Sequence, residues 1–267
     1  MGNNMICTQY IKSIAENFSP KIALVLGSGL GEFADSIEKI AEISYSDLEG
    51  FPASGVGGHA GNLIIGKVGG TDVVAMQGRV HYYEDGQVDA MKTPIKCFKE
   101  LGCEVVILTN AAGSLDYNAG PGSVMLIKDY VNFTGMSPLF KETGNERFVN
   151  MVNAYDKDLR RKVLDIADAN DIHLSKGVYA WMCGPQFETP AEINAIKILG
   201  VNAAGMSTVP ETILARHQGM KVMALSVITN YAAGMDSEDL SHEQTMKFAN
   251  KASQTFKTIL TEFIGKY

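Results

Sequence analysis

A chain of 267 residues, 46% of them apolar, can bury one large core, and no linker-like or low-complexity stretch divides it, so a single domain over residues 1–267 is expected. A formal net charge of −7 without any Lys/Arg-rich run argues against a nucleic-acid or acidic-membrane surface, so any anionic ligand must be gripped locally. Cys7, Cys97, Cys103 and Cys183 fit no zinc spacing, and the apolar runs are too short to span a bilayer, which predicts a cytoplasmic protein with reduced thiols and no metal.

In chain order, β-rich runs predict strands at Ile22–Leu26, Leu63–Val68, Asp72–Met76, Val105–Leu108, Val124–Ile127, Gly177–Met182 and Lys221–Ile228. Helical spacing is expected over Val88–Leu101, Asp156–Asn170 and Thr208–His217. A last helix begins at a Ser241 cap, with Gln244 three residues on, and runs to the C-terminus on Ala249, Ala252, Phe256, Ile259 and Phe263. Thr189-Pro190-Ala191-Glu192 is a capping box with proline at the first helical position. The alternation gives an α/β fold, a central, mixed, largely buried sheet flanked by helices.

Several strands end in small or polar residues that a core would not select. Leu26 leads into Gly27-Ser28-Gly29-Leu30-Gly31, Met76 into Gln77-Gly78-Arg79-Val80-His81, Leu108 into Thr109-Asn110-Ala111-Ala112-Gly113, and Ile228 into Thr229-Asn230. Ligands of α/β sheets sit at carboxyl ends of strands, so these four edges predict one composite pocket.

Three segments offer to hold a small anion. The Gly27–Gly31 loop matches neither the dinucleotide nor the Walker spacing, but offers backbone N–H groups and the Ser28 hydroxyl. Arg79 can bind phosphate through two parallel hydrogen bonds, or pair with nearby Glu84. Thr208 and Glu211 read as a second capping box, which leaves Ser207 beside unpaired N–H groups at a helix start. His59, among small residues in Gly57-Gly58-His59-Ala60-Gly61, and His81 add imidazoles.

Met182-Cys183-Gly184-Pro185-Gln186-Phe187-Glu188-Thr189-Pro190 sets an aromatic ring, a carboxylate and a helix start within a few residues. A flat heteroaromatic ligand needs a face to stack on and a charged acceptor for its N–H edge, so a purine base is the expected partner. Taken singly, Phe187 reads as core and Glu188 as either solvated or held for a ligand.

Seven segments in this order resemble the trimeric, low-molecular-mass purine nucleoside phosphorylases. They are Gly27–Gly31, Gly58–Gly61, Met76–Glu84, Thr109–Gly113, Gly184–Thr189, Gly205–Glu211 and Ile228–Asn230. The resemblance runs from about Lys21 to the final helix. It implies reversible phosphorolysis of purine (2′-deoxy)ribonucleosides, with inorganic phosphate as co-substrate and no cofactor. By the same resemblance, phosphate would meet Ser28, His59, Arg79, His81, the backbone at Ala111, and Ser207. The base would meet Ala112, Gly113, Phe187, Glu188 and Asn230, and the sugar Tyr83, Tyr179, Met206 and His242. Phe148 matches the position that reaches a neighbouring subunit's site, which implies a homotrimer. Asn230, His81 and Glu188 would carry the chemistry. Relatives acting on methylthioadenosine carry an aspartate where Asn230 stands, so 6-oxopurine nucleosides such as inosine and guanosine are expected.

Overall fold

The computed structural model describes residues 5–52, 60–236 and 242–267, with backbone alone for 242–247, 249 and 250. Nine strands form one sheet: β1 (Ile22–Leu26), β2 (Glu38–Ser44), β3 (Asn62–Val68), β4 (Thr71–Gln77), β5 (Val105–Ser114), β6 (Val124–Asn132), β7 (Ser175–Trp181), β8 (Ala203–Gly205) and β9 (Lys221–Tyr231). Their order is β2-β3-β4-β1-β5-β8-β7-β6-β9, and β9 pairs back onto β5. The second half of the sheet, β5 to β9, is therefore closed into a barrel-like ring, while β1, β4, β3 and β2 extend from it as an open wing. Parallel pairs (β1 with β4 and β5, β5 with β9) and antiparallel pairs (β2 with β3, β3 with β4, β6 with β9) coexist, so the sheet is mixed as expected.

The helices are α1 (Ile6–Ile14), α2 (Tyr82–Asp85), α3 (Lys92–Leu101), α4 (Lys157–Ala169), α5 (Pro190–Ile198), α6 (Val209–His217) and α7 (His242–Gly265). They cover the sheet because central strands such as β1, Ile-Ala-Leu-Val-Leu, are buried on both faces and need apolar cover on each. Ile11, Ile95, Phe98 and Leu214 seal one face, and Leu159, Val163, Phe256 and Phe263 seal the other. Local chemistry sets the helix ends. The Asp156 carboxylate accepts the N–H groups of Asp158 (2.9 Å) and Leu159 (3.1 Å) to start α4, and Gly102, at φ 106°, ends α3.

Two strands expected to stop run on. β5 continues through Thr109-Asn110-Ala111-Ala112-Gly113 and β9 through Thr229-Asn230, because each pairs with the other residue by residue along that stretch. Register slips between Ala112 and Gly113, where Gly113 pairs with Asn230 rather than Thr229. That bulge turns the Asn230 side chain relative to strict alternation. Strands β2 and β8 were not predicted: β2 is a largely exposed edge without apolar alternation, and β8 has three residues. The Ser241 cap of the last helix lies outside the described residues.

Candidate active site

A cleft of about 280 Å³ opens where the Gly27–Gly31 loop, the end of β4, the extended ends of β5 and β9, and the β8–α6 turn converge. Its lining includes Ser28, Arg79, His81 and Ser207 together with Gly113, Phe187, Glu188 and Asn230. Tyr83, Ala111, Ala112 and Met206 also line it. Of the residues implied by the resemblance, these twelve are brought together. His59 and the side chain of His242 lie outside the described residues.

The part of the lining that holds Ser28, Arg79 and Ser207 is built on buried polar contacts. The Thr109 hydroxyl accepts the Gly27 N–H (3.0 Å) and donates to the Val25 carbonyl (3.1 Å), which moors the glycine loop to β5. Gly27 is required there, because a Cβ would sit 2.6 Å from the Thr109 carbonyl oxygen. Arg79 is 1% exposed and pairs with Glu211, itself 2% exposed, at 2.7 Å. Its other terminal nitrogen donates to the carbonyls of Val25 and Thr109. The partner proposed from sequence, Glu84, turns instead to His81, accepting its backbone N–H (2.7 Å) and facing ring Nδ1 at 3.2 Å. Tyr83 stacks on the same imidazole, centroids 4.8 Å apart, and burial, with help from Glu84, pushes its phenol up to about 12.

The capping box expected at Thr208 and Glu211 does not form. Thr208 makes no cap hydrogen bond, and the Glu211 carboxylate is taken by Arg79, whose buried charge outcompetes a helix-end N–H. The equivalent box at Thr189 and Glu192 does form, in both directions, because no buried cation competes there.

Tyr179, implied as a sugar contact, is fully buried and lines no part of the cleft. Its hydroxyl accepts the Ser207 N–H at 3.3 Å, so it supports Ser207 from outside the cleft, and burial raises its phenol well above the ordinary range. Phe148 is 75% exposed, with the Arg147 guanidinium over its ring at 5.0 Å, and takes no part in this chain's own cleft.

Elsewhere in the lining, Phe187 is 44% exposed. Removal from water raises the Glu188 carboxyl above its usual range, and Glu192 adds to the rise. Thr229 donates its hydroxyl proton to Asn230 Oδ1 (2.8 Å), and Asn230 Nδ2 donates to the Tyr231 carbonyl (2.9 Å). These two bonds fix which end of the amide is which, leaving one Nδ2 hydrogen and acceptor capacity on Oδ1 for a ligand. Gly113 makes room: a Cβ there would lie 2.9 Å from Asn230 Nδ2.

A family model, described as the phosphorylase superfamily, matches residues 21–265. Purine nucleoside phosphorylase 1 of Bacillus subtilis (strain 168) is 43% identical over 252 residues, covering 93% of each chain. The purine nucleoside phosphorylase of Mus musculus is 40% identical over 261 residues, covering 92% of this chain and 90% of its own. The chain belongs to the phosphorylase superfamily, among its purine nucleoside phosphorylases. The fold agrees with that membership: isoform 2 of the Schistosoma mansoni purine nucleoside phosphorylase, solved with cytosine and ribose-1-phosphate, superposes with a TM-score of 0.91 at 38% identity, covering 98% of this chain and 95% of that one. A second Schistosoma mansoni purine nucleoside phosphorylase structure, with inosine, gives 0.90 at 32% identity and the same coverage.

The cleft also holds residues the sequence reading did not single out. Gly27, Asn110, Pro185, Ala204, Gly205 and Thr229 line this phosphorylase's cleft. All but Ala204 stood inside motifs that were recognised, and their polar or backbone character was the available signal; Ala204 carried none. Among the described residues no cluster of His, Cys, Asp and Glu could hold a metal ion, and no helix is long and apolar enough to cross a membrane.

Proposed function

We propose that this chain catalyses the reversible phosphorolysis of 6-oxopurine ribonucleosides and 2′-deoxyribonucleosides, giving free base and (deoxy)ribose 1-phosphate. The observation that carries the reading is one cleft lined both by Ser28, Arg79 and Ser207 and by Phe187, Glu188 and Asn230. Breaking an N-glycosidic bond puts positive charge on the sugar and negative charge on the purine, so a catalyst must stabilise both ends at once. Phosphate held by Ser28, His59, Arg79, His81, the Ala111 backbone and Ser207 serves the sugar end, approaching C1′ as the bond to the base lengthens. Asn230 serves the other end. Its free Nδ2 hydrogen donates to O6, and Oδ1 accepts from N7 once that nitrogen is protonated. Glu188 accepts from N1–H, and Phe187 covers the ring. No covalent enzyme intermediate is required.

Asn230 also favours 6-oxo over 6-amino purines: with its amide held by Thr229 and Tyr231, its remaining Nδ2 hydrogen calls for an acceptor such as O6, which a 6-amino group does not offer. Schistosoma mansoni purine nucleoside phosphorylase has been solved with adenosine as well as with inosine, so the preference here rests on these side chains. Comparing turnover of inosine, adenosine and methylthioadenosine tests it. Inosine should lead; a lead for either 6-amino substrate would reverse the assignment.

The rest of the reading follows the family. Tyr83, Met206 and His242 attend the sugar with Tyr179 behind the wall, inorganic phosphate is the co-substrate, and neither metal nor cofactor takes part. Exposed Phe148 completes a neighbour's site in a homotrimer, one domain per chain, serving purine salvage in the cytoplasm. A sedimentation mass of one chain rather than three would refute the trimer.

A further inference from the structure

Three non-glycine residues among those described have positive φ: Asn153 (62°), Asp171 (54°) and Thr208 (75°). Asn and Asp reach this region by bonding to their own backbone, whereas a β-branched residue is strained there. Thr208 has ψ −43°, and the Val209 N–H returns to the Ser207 carbonyl at 2.8 Å. Ser207-Thr208-Val209 is therefore a γ-turn of the rare positive-φ kind. Such strain persists where the surroundings over-determine it, and it clusters at working sites.

What holds the turn is a knot of polar groups around one hydroxyl. Thr208 is fully buried, and its Oγ1 accepts from Asn110 Nδ2 at 2.8 Å. Arg79 Nη1 donates toward the same oxygen at 3.5 Å, and Ser207 Oγ lies 3.1 Å away. A hydroxyl has one proton to give and two lone pairs. Asn110 and Arg79 carry no acceptor on the atoms facing it, so they use the lone pairs and the Thr208 proton must go to Ser207 Oγ. Ser207, having accepted, keeps its own proton to donate elsewhere. It lines the cleft on the anion side.

We propose that Thr208 is a positioning residue for phosphate: a one-way chain of hydrogen bonds from Asn110 and Arg79 through Thr208 to Ser207 polarises the Ser207 hydroxyl as a donor to an inorganic oxyanion. The strained turn is what brings the two hydroxyls within reach, which a relaxed capping box would not do. This rests on the phosphorolytic reading above and names a support for its anion half.

The test is calorimetric binding of inorganic phosphate, with hypoxanthine binding as the control, on the intact protein. Thr208→Val should weaken phosphate by about tenfold or more, since it leaves donors without an acceptor and frees Ser207 to turn inward. Hypoxanthine affinity should stay within about twofold, and Thr208→Ser should restore phosphate binding, because its hydroxyl has the same donor and acceptors. On a Ser207→Ala background, Thr208→Val should add little, since the chain acts through Ser207. Should the valine variant not fold, Thr208→Gly, which takes φ 75° without strain, makes the same comparison. Wild-type phosphate affinity in Thr208→Val, failure of Thr208→Ser to rescue, or full additivity with Ser207→Ala would overturn the proposal. A wild-type protein that binds phosphate yet does not cleave inosine would instead sink the reaction and leave the hydrogen-bond chain standing.

Discussion

The two walls of the cleft are built differently. In and behind the part proposed for phosphate, Arg79, Thr208 and Glu211 are at most 2% exposed and bound to one another or to backbone carbonyls. In the part proposed for the base, Phe187 is 44% exposed, and a bond to its own backbone only partly offsets the loss of water at the Glu188 carboxyl. Under the proposed reaction the contrast follows from the ligands. A small, strongly hydrated anion is bound well only by donors fixed before it arrives, and fixing donors in the interior requires that every charge be paired. A flat base brings its own apolar faces and polar edge, so the protein can leave its readers partly open. Substitutions on the anion wall should therefore cost fold and phosphate together, whereas those on the base wall should cost turnover or selectivity with the fold intact.

The sharpest break of that contrast is Arg79→Ala, which strands the Glu211 carboxylate in the interior. A loss of about 3–5 kcal/mol of stability is expected, read as a fall in denaturant midpoint, alongside weakened phosphate binding. An Arg79→Ala protein as stable as the parent would mean that the pair does not organise the wall. Across the cleft, Asn230→Ala should leave the midpoint unchanged and cost about 2–4 kcal/mol in kcat, the scale of a lost leaving-group stabiliser. Near-normal turnover would remove Asn230 from the mechanism. Gly113→Ala is milder. Its methyl must displace the Asn230 amide, for about 1–3 kcal/mol of strain, and kcat should fall by more than stability does.

The smallest effect is titrational. The Glu188 pKa is raised by burial, so its charged form, the one that accepts N1–H, is present above that pKa and lost as pH falls through it. KM for inosine should rise on mild acidification from neutrality, before an ordinary carboxyl would titrate. The sign for stability is opposite. A raised carboxyl pKa favours the fold while protonated, and that contribution is lost as pH rises through the folded-state value. Glu188→Gln should flatten the KM profile, with a KM for inosine higher than the parent's at neutral pH. A parallel acid rise in the variant would assign the titration elsewhere.

Much of this was legible in the chain because local pattern and long-range contact agree. Ile22–Leu26 reads as a buried strand and is one, and the Thr189–Glu192 box forms where nothing competes for either side chain. Failures around the cleft mostly share one cause, a partner far away in sequence. Glu211 is drawn from its helix start by an arginine 132 residues earlier, and Thr208 by an asparagine 98 residues earlier. Thr109–Gly113 looks like a strand end because its residues are small and polar, but register with β9 carries it on, and the bulge beside Asn230 exists only in that pairing. Tyr179 sits in a strand whose neighbours gave no sign that its hydroxyl would turn to Ser207 rather than to the cleft. The cleft's membership was readable; the wiring behind its anion wall was not.

The central claim is that one cleft holds phosphate and a purine on opposite sides of a single sugar carbon. Its most direct measurement is inosine cleavage with the sugar product identified, with and without inorganic phosphate. Hypoxanthine and ribose 1-phosphate should appear in equal amounts, and only when phosphate is present. Hypoxanthine released at the same rate without phosphate, accompanied by free ribose, would contradict it.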